Sequence, residues 1–153
     1  GEGDRCTCTP TMRLSYLSKL SGPLMDRIDL QMVTKPVDPR RLVNRKPAES
    51  TAEIAARVMK ARKIQMERFE KDGIFCNAGM DSRLMEKYCP LDKYGQNLLE
   101  KLIEKMGLSA RACSRIIKIA RTIADMEGEL NITPEHIAEA AGYRMLDRNS
   151  FEW

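Results

Sequence analysis

From residue 50 onward, apolar residues recur at intervals of three and four, the spacing of one face of a helix. Ser50 followed by Glu53 is a capping-box signature. Ile54, Val58, Ala61, Ile64 and Phe69 fall near one face of the long helix it opens, which is predicted to run to about Lys71 and stop at Gly73. A short helix is predicted from Asp81 to Tyr88, ahead of Cys89-Pro90. The next spans about Asp92 to Met106, with Leu98, Leu99, Leu102 and Ile103 inward and Gly107 at its end. Ser109 caps a helix that carries Ile116, Ile117, Ile119, Ala120 and Ile123 and stops at Gly128. Thr133-Pro134 opens the last helix, which reaches about Arg144. The stretch from 50 to 148 thus reads as a bundle of about five helices.

The front of the chain has a different rhythm. Residues 1–8 are polar, and Thr9-Pro10 then starts a short helix whose apolar face is Leu14, Leu17 and Leu20, stopping at Ser21-Gly22-Pro23. Ile28, Leu30 and Met32 alternate with Asp29 and Gln31, which predicts a strand over 28–33. One strand makes no sheet, so its partners are expected upstream of the chain. Residues 35–50 hold three prolines and five Lys or Arg, the composition of a solvated linker. No internal repeat is present.

Composition adds limits. Apolar residues make up 42% and charged residues 31%, a globular rather than a disordered balance. With 5% aromatics and ten methionines, the core must be built mostly from Leu, Ile, Met and Ala. No apolar run approaches the ~20 residues of a membrane helix, and the opening residues lack the charged-apolar-small pattern of a signal peptide, so none is expected there. The net charge of +4 permits a nucleic acid or nucleotide partner without requiring one. Five unevenly spaced cysteines do not form a disulfide framework, and a reducing, cytoplasmic setting is expected. The chain starts with Gly rather than Met, and GEGDRCTCTP does not resemble a domain start, so a piece of a longer protein is expected.

Most enzyme chemistries find no support. GxxxxGK[ST] and GxGxxG loops are both missing, and no apolar strand ends in an Asp-Glu pair suited to magnesium. The single histidine, His136, lies in the first turn of the last helix, where a capping or surface role is expected. Taken alone, the chain is not expected to be a complete enzyme. The stretch LMDRID is unusual: Arg27 stands between Asp26 and Asp29 at the mouth of the predicted strand.

Three segments, SYLSKLSGPLMDRIDLQ, ARACSRIIKIARTIADMEG and HIAEAAGYRMLDR, together resemble the C-terminal part of the magnesium-chelatase-like AAA+ ATPases of the ComM/YifB type. The resemblance covers nearly the whole chain and is weakest in the linker and over residues 72–90. It implies a mainly α fold: a small helical bundle, the AAA+ lid, preceded by a helix-strand remnant of the α/β core. The implied division is 1–34 for the end of the core, 35–49 for the linker and 50–153 for the lid. Walker A and Walker B would lie upstream, with ATP and Mg2+ bound in the full-length protein and none held tightly by this chain.

The resemblance also assigns roles. Arg27 matches an arginine finger that reaches, in trans, the γ-phosphate of ATP on a neighbouring subunit, with Asp26 and Asp29 holding it beforehand; a guanidinium there stabilises charge spreading over the γ-oxygens. On residues alone, a surface Asp–Arg ion pair worth under ~1 kcal/mol accounts for the same pattern. Arg111 matches the sensor-2 arginine of AAA+ lids, and Arg115, one turn on, is a second candidate. A cation in the first helical turn is mildly unfavourable for the dipole, although Arg is also a good helix former. Many family members carry a bulky or charged residue where Cys113 or Ser114 sits, which puts the contacts around Arg111 in doubt.

Cys6 and Cys8 form half of a possible zinc site, because tetrahedral Zn2+ needs four ligands and the family's other cysteine pair lies upstream. Cys76, Cys89 and Cys113 read as core or semi-buried thiols. Arg115, Lys118 and Arg121 lie roughly along one helix face, which reads as a solvated polar face, with a nucleic-acid or subunit contact as the alternative. The implied partners are other subunits of a probable-hexamer ring and DNA, with no membrane. The implied function is a DNA branch-migration motor. The alternatives are a chelatase-like motor that remodels a protein or helps insert a metal, and a helical interaction module without ATPase function.

Overall fold

A computed structural model describes residues 7–25, 27–32, 34, 37, 40, 43 and 48–144. Among the described residues the regular structure is mainly helical, as the sequence predicts: α1 (Pro10–Leu17), α2 (Gly22–Met25), α3 (Thr51–Arg68), α4 (Ser82–Tyr88), α5 (Lys93–Met106), α6 (Ala110–Glu127) and α7 (Pro134–Gly142), with a 3₁₀ turn at Asn77–Gly79. An isolated parallel bridge joins Leu91 to Ile132.

Local chemistry sets the ends of these helices. Ser50 and Glu53 form the reciprocal box: the Glu53 amide donates to Ser50 Oγ at 3.3 Å, and the Ser50 amide donates to Glu53 Oε2 at 2.7 Å. The backbone and hydroxyl bonds from Ser50 hold the Glu53 carboxyl below its usual range. Asp81, Asp92 and Ser109 accept from the amides of Leu84, Gly95 and Ala112 in the same way. Helices α5 and α6 end on Gly107 and Gly128, at φ of 59° and 83°, where a side chain would be strained. At α7 the histidine does the work of a capping-box glutamate. The Thr133 amide donates to His136 Nδ1 at 2.9 Å, and Nε2 lies 2.9 Å from Glu127 Oε2. His136 is buried, so of the two roles expected for it the cap is the one observed.

Helix α6 runs through the middle of the bundle. Its fourth-residue row Ala112, Ile116, Ala120 and Ala124 is buried, and it packs against α3, α7 and the 3₁₀ turn, while α5 packs on α7. Small residues let the helices approach closely: a Cβ on Gly95 would lie 3.0 Å from Ile137 Cδ1. Phe69, Met80, Leu84, Cys89, Ile132, Ile137, Ala140 and Ala141 complete the core. The Phe69 and Tyr88 rings meet edge to face at 5.3 Å.

The structure departs from the sequence reading at three places. Residues 28–32 are irregular rather than a strand, and Leu30 and Met32 are exposed. An extended segment needs a ladder partner for its amides and carbonyls. Here the Gln31 amide donates to the Tyr143 carbonyl at 2.7 Å, and Arg144 Nη1 donates to the Ile28 carbonyl at 2.7 Å. The segment therefore lies against the end of α7. Second, α3 ends at Arg68, and its inward residues are Ala61 and Gln65, with Phe69 just beyond; Ile54 and Val58 are exposed. Third, Gly22-Pro23 opens the short α2 instead of only stopping α1, since proline suits a first helical turn.

The core also contains an ionic cluster. Asp125 is fully buried and Arg121 is 1% exposed. Arg68 grips both oxygens of Asp125, one at 2.8 Å. Arg121 Nε donates to the same carboxylate at 3.0 Å, and its two terminal nitrogens donate to the carbonyls of Leu130 and Glu129 at 2.7 and 2.6 Å. Asn77 Nδ2 donates to Asp125 Oδ2 at 2.8 Å and to Thr122 Oγ1 at 3.0 Å. Removing the carboxylate would leave two guanidinium groups without their counter-ion. Asp125→Ala is expected to cost about 3–5 kcal/mol of stability. Urea unfolding followed by circular dichroism reads that loss as a lower midpoint; a change under 1 kcal/mol is incompatible with a cluster that holds the helices together.

Candidate functional site

Helix α6 sets out its charged residues by helical spacing. Ala112, Ile116 and Ala120 point into the core, which turns Arg111, Arg115 and Lys118 toward a cavity between α6, α3, α7 and the segment 29–32. The cavity has a volume of about 890 Å³. Arg57, Arg111, Arg115 and Lys118 bring positive charge to its lining, Asp29, Glu127 and Glu139 negative charge, and Ile119, Ile123 and Tyr143 apolar surface.

The four cations are not equivalent. Arg57 is paired with Glu49, and Lys118 Nζ donates to the Ala78 carbonyl at 3.1 Å. Arg115 is paired through Nη1 with Asp29, and its Nε is buried without a hydrogen-bond partner. Arg111 is exposed, with no side-chain partner among the described residues. Arg121, read from the sequence as part of the same solvated face, is instead inside the ionic cluster; the i, i+4 carboxylate of Asp125 and the carbonyls of the following loop draw it inward.

The structure brings together two of the predicted site residues, Arg111 and Arg115, and adds Asp29. Arg27 is exposed just after α2, its amide bonded to the Leu24 carbonyl at 3.0 Å, and does not line the cavity. Asp29, expected to steady Arg27, is bound to Arg115. Asp26 and Cys6 lie outside the described residues, and Cys8 is exposed. Arg111 and Arg115 both line this cavity. Among the described residues no three His, Cys, Asp or Glu side chains gather as a metal site. No helix among them is long and apolar enough to cross a membrane.

Residues 48–144 match the family model described as magnesium chelatase, subunit ChlI C-terminal, and residues 1–42 match the model described as magnesium chelatase, subunit ChlI. The chain belongs to the magnesium chelatase ChlI family. It is 40% identical over 149 residues to the uncharacterized protein YifB of Escherichia coli, covering 96% of this chain and 28% of YifB. It is 41% identical over 141 residues to the competence protein ComM of Haemophilus influenzae, covering 92% of this chain and 27% of ComM. An uncharacterized protein of Mycobacterium tuberculosis is 29% identical over 143 residues, covering 91% of this chain and 27% of the relative. The chain thus spans somewhat over a quarter of the length of these family relatives.

The thiols differ by position. Burial alone would raise Cys76, but bonds from the Gly79 and Ala78 amides and from Arg62 outweigh it and bring the thiol below its usual value. Burial pushes the Cys89 thiol up to about 11 against an ordinary 9.0. The folded chain therefore keeps this proton where the unfolded chain releases it. Its contribution is fully present below pH 9 and is lost as pH rises through 11. Between those values the wild type is expected to lose about 2 kcal/mol more stability than Cys89→Ala. Parallel urea titrations at the two pH values measure the difference, and equal slopes contradict it.

Proposed function

We propose that this chain is the C-terminal lid portion of a ring-forming AAA+ ATPase, completing the ATP site of a longer protein and converting hydrolysis into motion. The division into residues 1–34 as the end of the ATPase core, 35–49 as a linker and 50–153 as the lid belongs to this reading. The observation that carries it is the cationic wall of α6: in a chain of the magnesium chelatase family, Arg111 projects without a side-chain partner among the described residues, beside Arg115, into one cavity.

Bound ATP and its Mg2+ would supply the phosphoryl group and part of its charge neutralisation. Arg111 acts as the sensor-2 residue and holds phosphate oxygens, with Arg115 beside it. Arg27, exposed at the edge of the chain, reaches the γ-phosphate on the next subunit as an arginine finger. The assembly is a cytoplasmic ring, a hexamer by family resemblance. Zinc at Cys6 and Cys8 requires cysteines beyond this chain.

Similarity to a protein named for competence favours DNA as the substrate, with branch migration during uptake and recombination as the work done. The family description, magnesium chelatase, favours a second reading in which the motor remodels a protein or assists metal insertion. In the full-length protein, Arg27→Ala is expected to bind ATP normally and to hydrolyse it about a thousandfold more slowly, while Arg111→Ala weakens ATP binding. Branched DNA is expected to stimulate the wild type. Steady-state hydrolysis with and without branched DNA, beside nucleotide titrations, tests all three. Wild-type turnover by Arg27→Ala sinks the finger, and indifference to DNA turns the reading to the chelatase-like motor.

A further inference from the structure

Contacts among the described residues tie the segment that carries Arg27 to the helical unit. The Asp29 carboxylate pairs with Arg115 of α6, the Ile28 carbonyl accepts from Arg144 at 2.7 Å, and the Gln31 amide donates to the Tyr143 carbonyl at 2.7 Å. Two of these involve the segment's backbone and leave its sequence free. A side chain of the segment also takes part: the Asp29 carboxylate falls on a candidate phosphate ligand.

That pair is built to be exchanged. The Arg115 side chain is 26% exposed and that of Asp29 is 54% exposed, so the carboxylate sits half in water. The carboxylate meets the guanidinium at Nη1, and Nε is buried with no hydrogen-bond partner. A phosphate offers several oxygens and suits bidentate contact with a guanidinium, which one half-hydrated carboxylate contact does not supply. Arg111 is four residues from Arg115, hence on the same helix face, and stands ready to share the anion.

We infer that Asp29 is a positioning residue: it occupies Arg115 and pins segment 27–32 to the lid, and a phosphate anion at Arg111 and Arg115 displaces it and releases the segment bearing Arg27. This rests on the function proposed above in one respect, that the anion is a phosphate group. Anion arrival at the lid and freedom of Arg27 are then one event, and Arg27 is withheld until the lid arginines are occupied.

The test is amide hydrogen exchange by NMR on the 153-residue chain, with inorganic pyrophosphate as the probe and sodium chloride at matched ionic strength as the control. In the wild type, exchange at Gln31 is expected to accelerate with pyrophosphate and not with chloride. In Asp29→Asn it is expected to be about two- to fivefold faster from the start, the range that an exposed ion pair gives, with no further response to pyrophosphate. Asp29→Glu restores the carboxylate and is expected to restore both the slow exchange and the response. Amides of Ile116 and Ala120 report on the core and should not change in any sample. Wild-type exchange in Asp29→Asn, or a wild-type Gln31 that pyrophosphate leaves alone or slows, overturns the inference. Loss of the ATPase reading is separable: wild-type turnover by full-length Arg27→Ala removes the finger and leaves these exchange rates as they are.

Discussion

The fold hangs on a single carboxylate. Asp125, the one buried acid among the described residues, receives Arg68 from the end of α3, Arg121 from α6 itself and Asn77 from the 3₁₀ turn. A lone carboxylate could not stay charged in an interior of Ile, Ala and Phe. Here both of its oxygens accept hydrogen bonds, and Arg121 donates as well to the carbonyls of Glu129 and Leu130. The cluster ties the end of α3 and the 3₁₀ turn to α6, which carries the cationic wall of the cavity.

The same architecture explains how a segment with strand-like alternation lies on a helical body. Ile28, Leu30 and Met32 have no sheet to enter here, and backbone groups of the segment find partners at the end of α7 instead. Burial at the contact is modest. Gln31 is buried, while its apolar neighbours remain exposed, so directional bonds rather than apolar area define the register. A contact of that kind can be undone without unfolding the bundle.

What the sequence discloses and what it withholds divides by distance along the chain. The Ser50–Glu53 box, the Ser109 cap and the glycine stops at 107 and 128 are settled by neighbours within four residues, and the five helices from 51 to 142 are legible from them. Arg121 is the opposite case. With Arg115 and Lys118 on one helix face it resembles a solvated residue, and its place inside depends on Asp125, which distant Arg68 and Asn77 also hold. Gln65 behaves likewise, buried because the Asn77 amide reaches its side chain at 3.4 Å. At the candidate site, Arg111 and Arg115 were marked by resemblance and do share a cavity. That Asp29 pairs with Arg115 is not legible, since nothing local to LMDRID indicates that α6 passes beside it.

The turn from α6 into α7 is held from three directions: Arg121 on the carbonyls of Glu129 and Leu130, His136 between Thr133 and Glu127, and the Leu91–Ile132 bridge. Bending α7 away from α6 would have to break these contacts together, so the corner resists opening at any one of them, and Tyr143, where residue 31 is attached, is carried on a well-fastened arm.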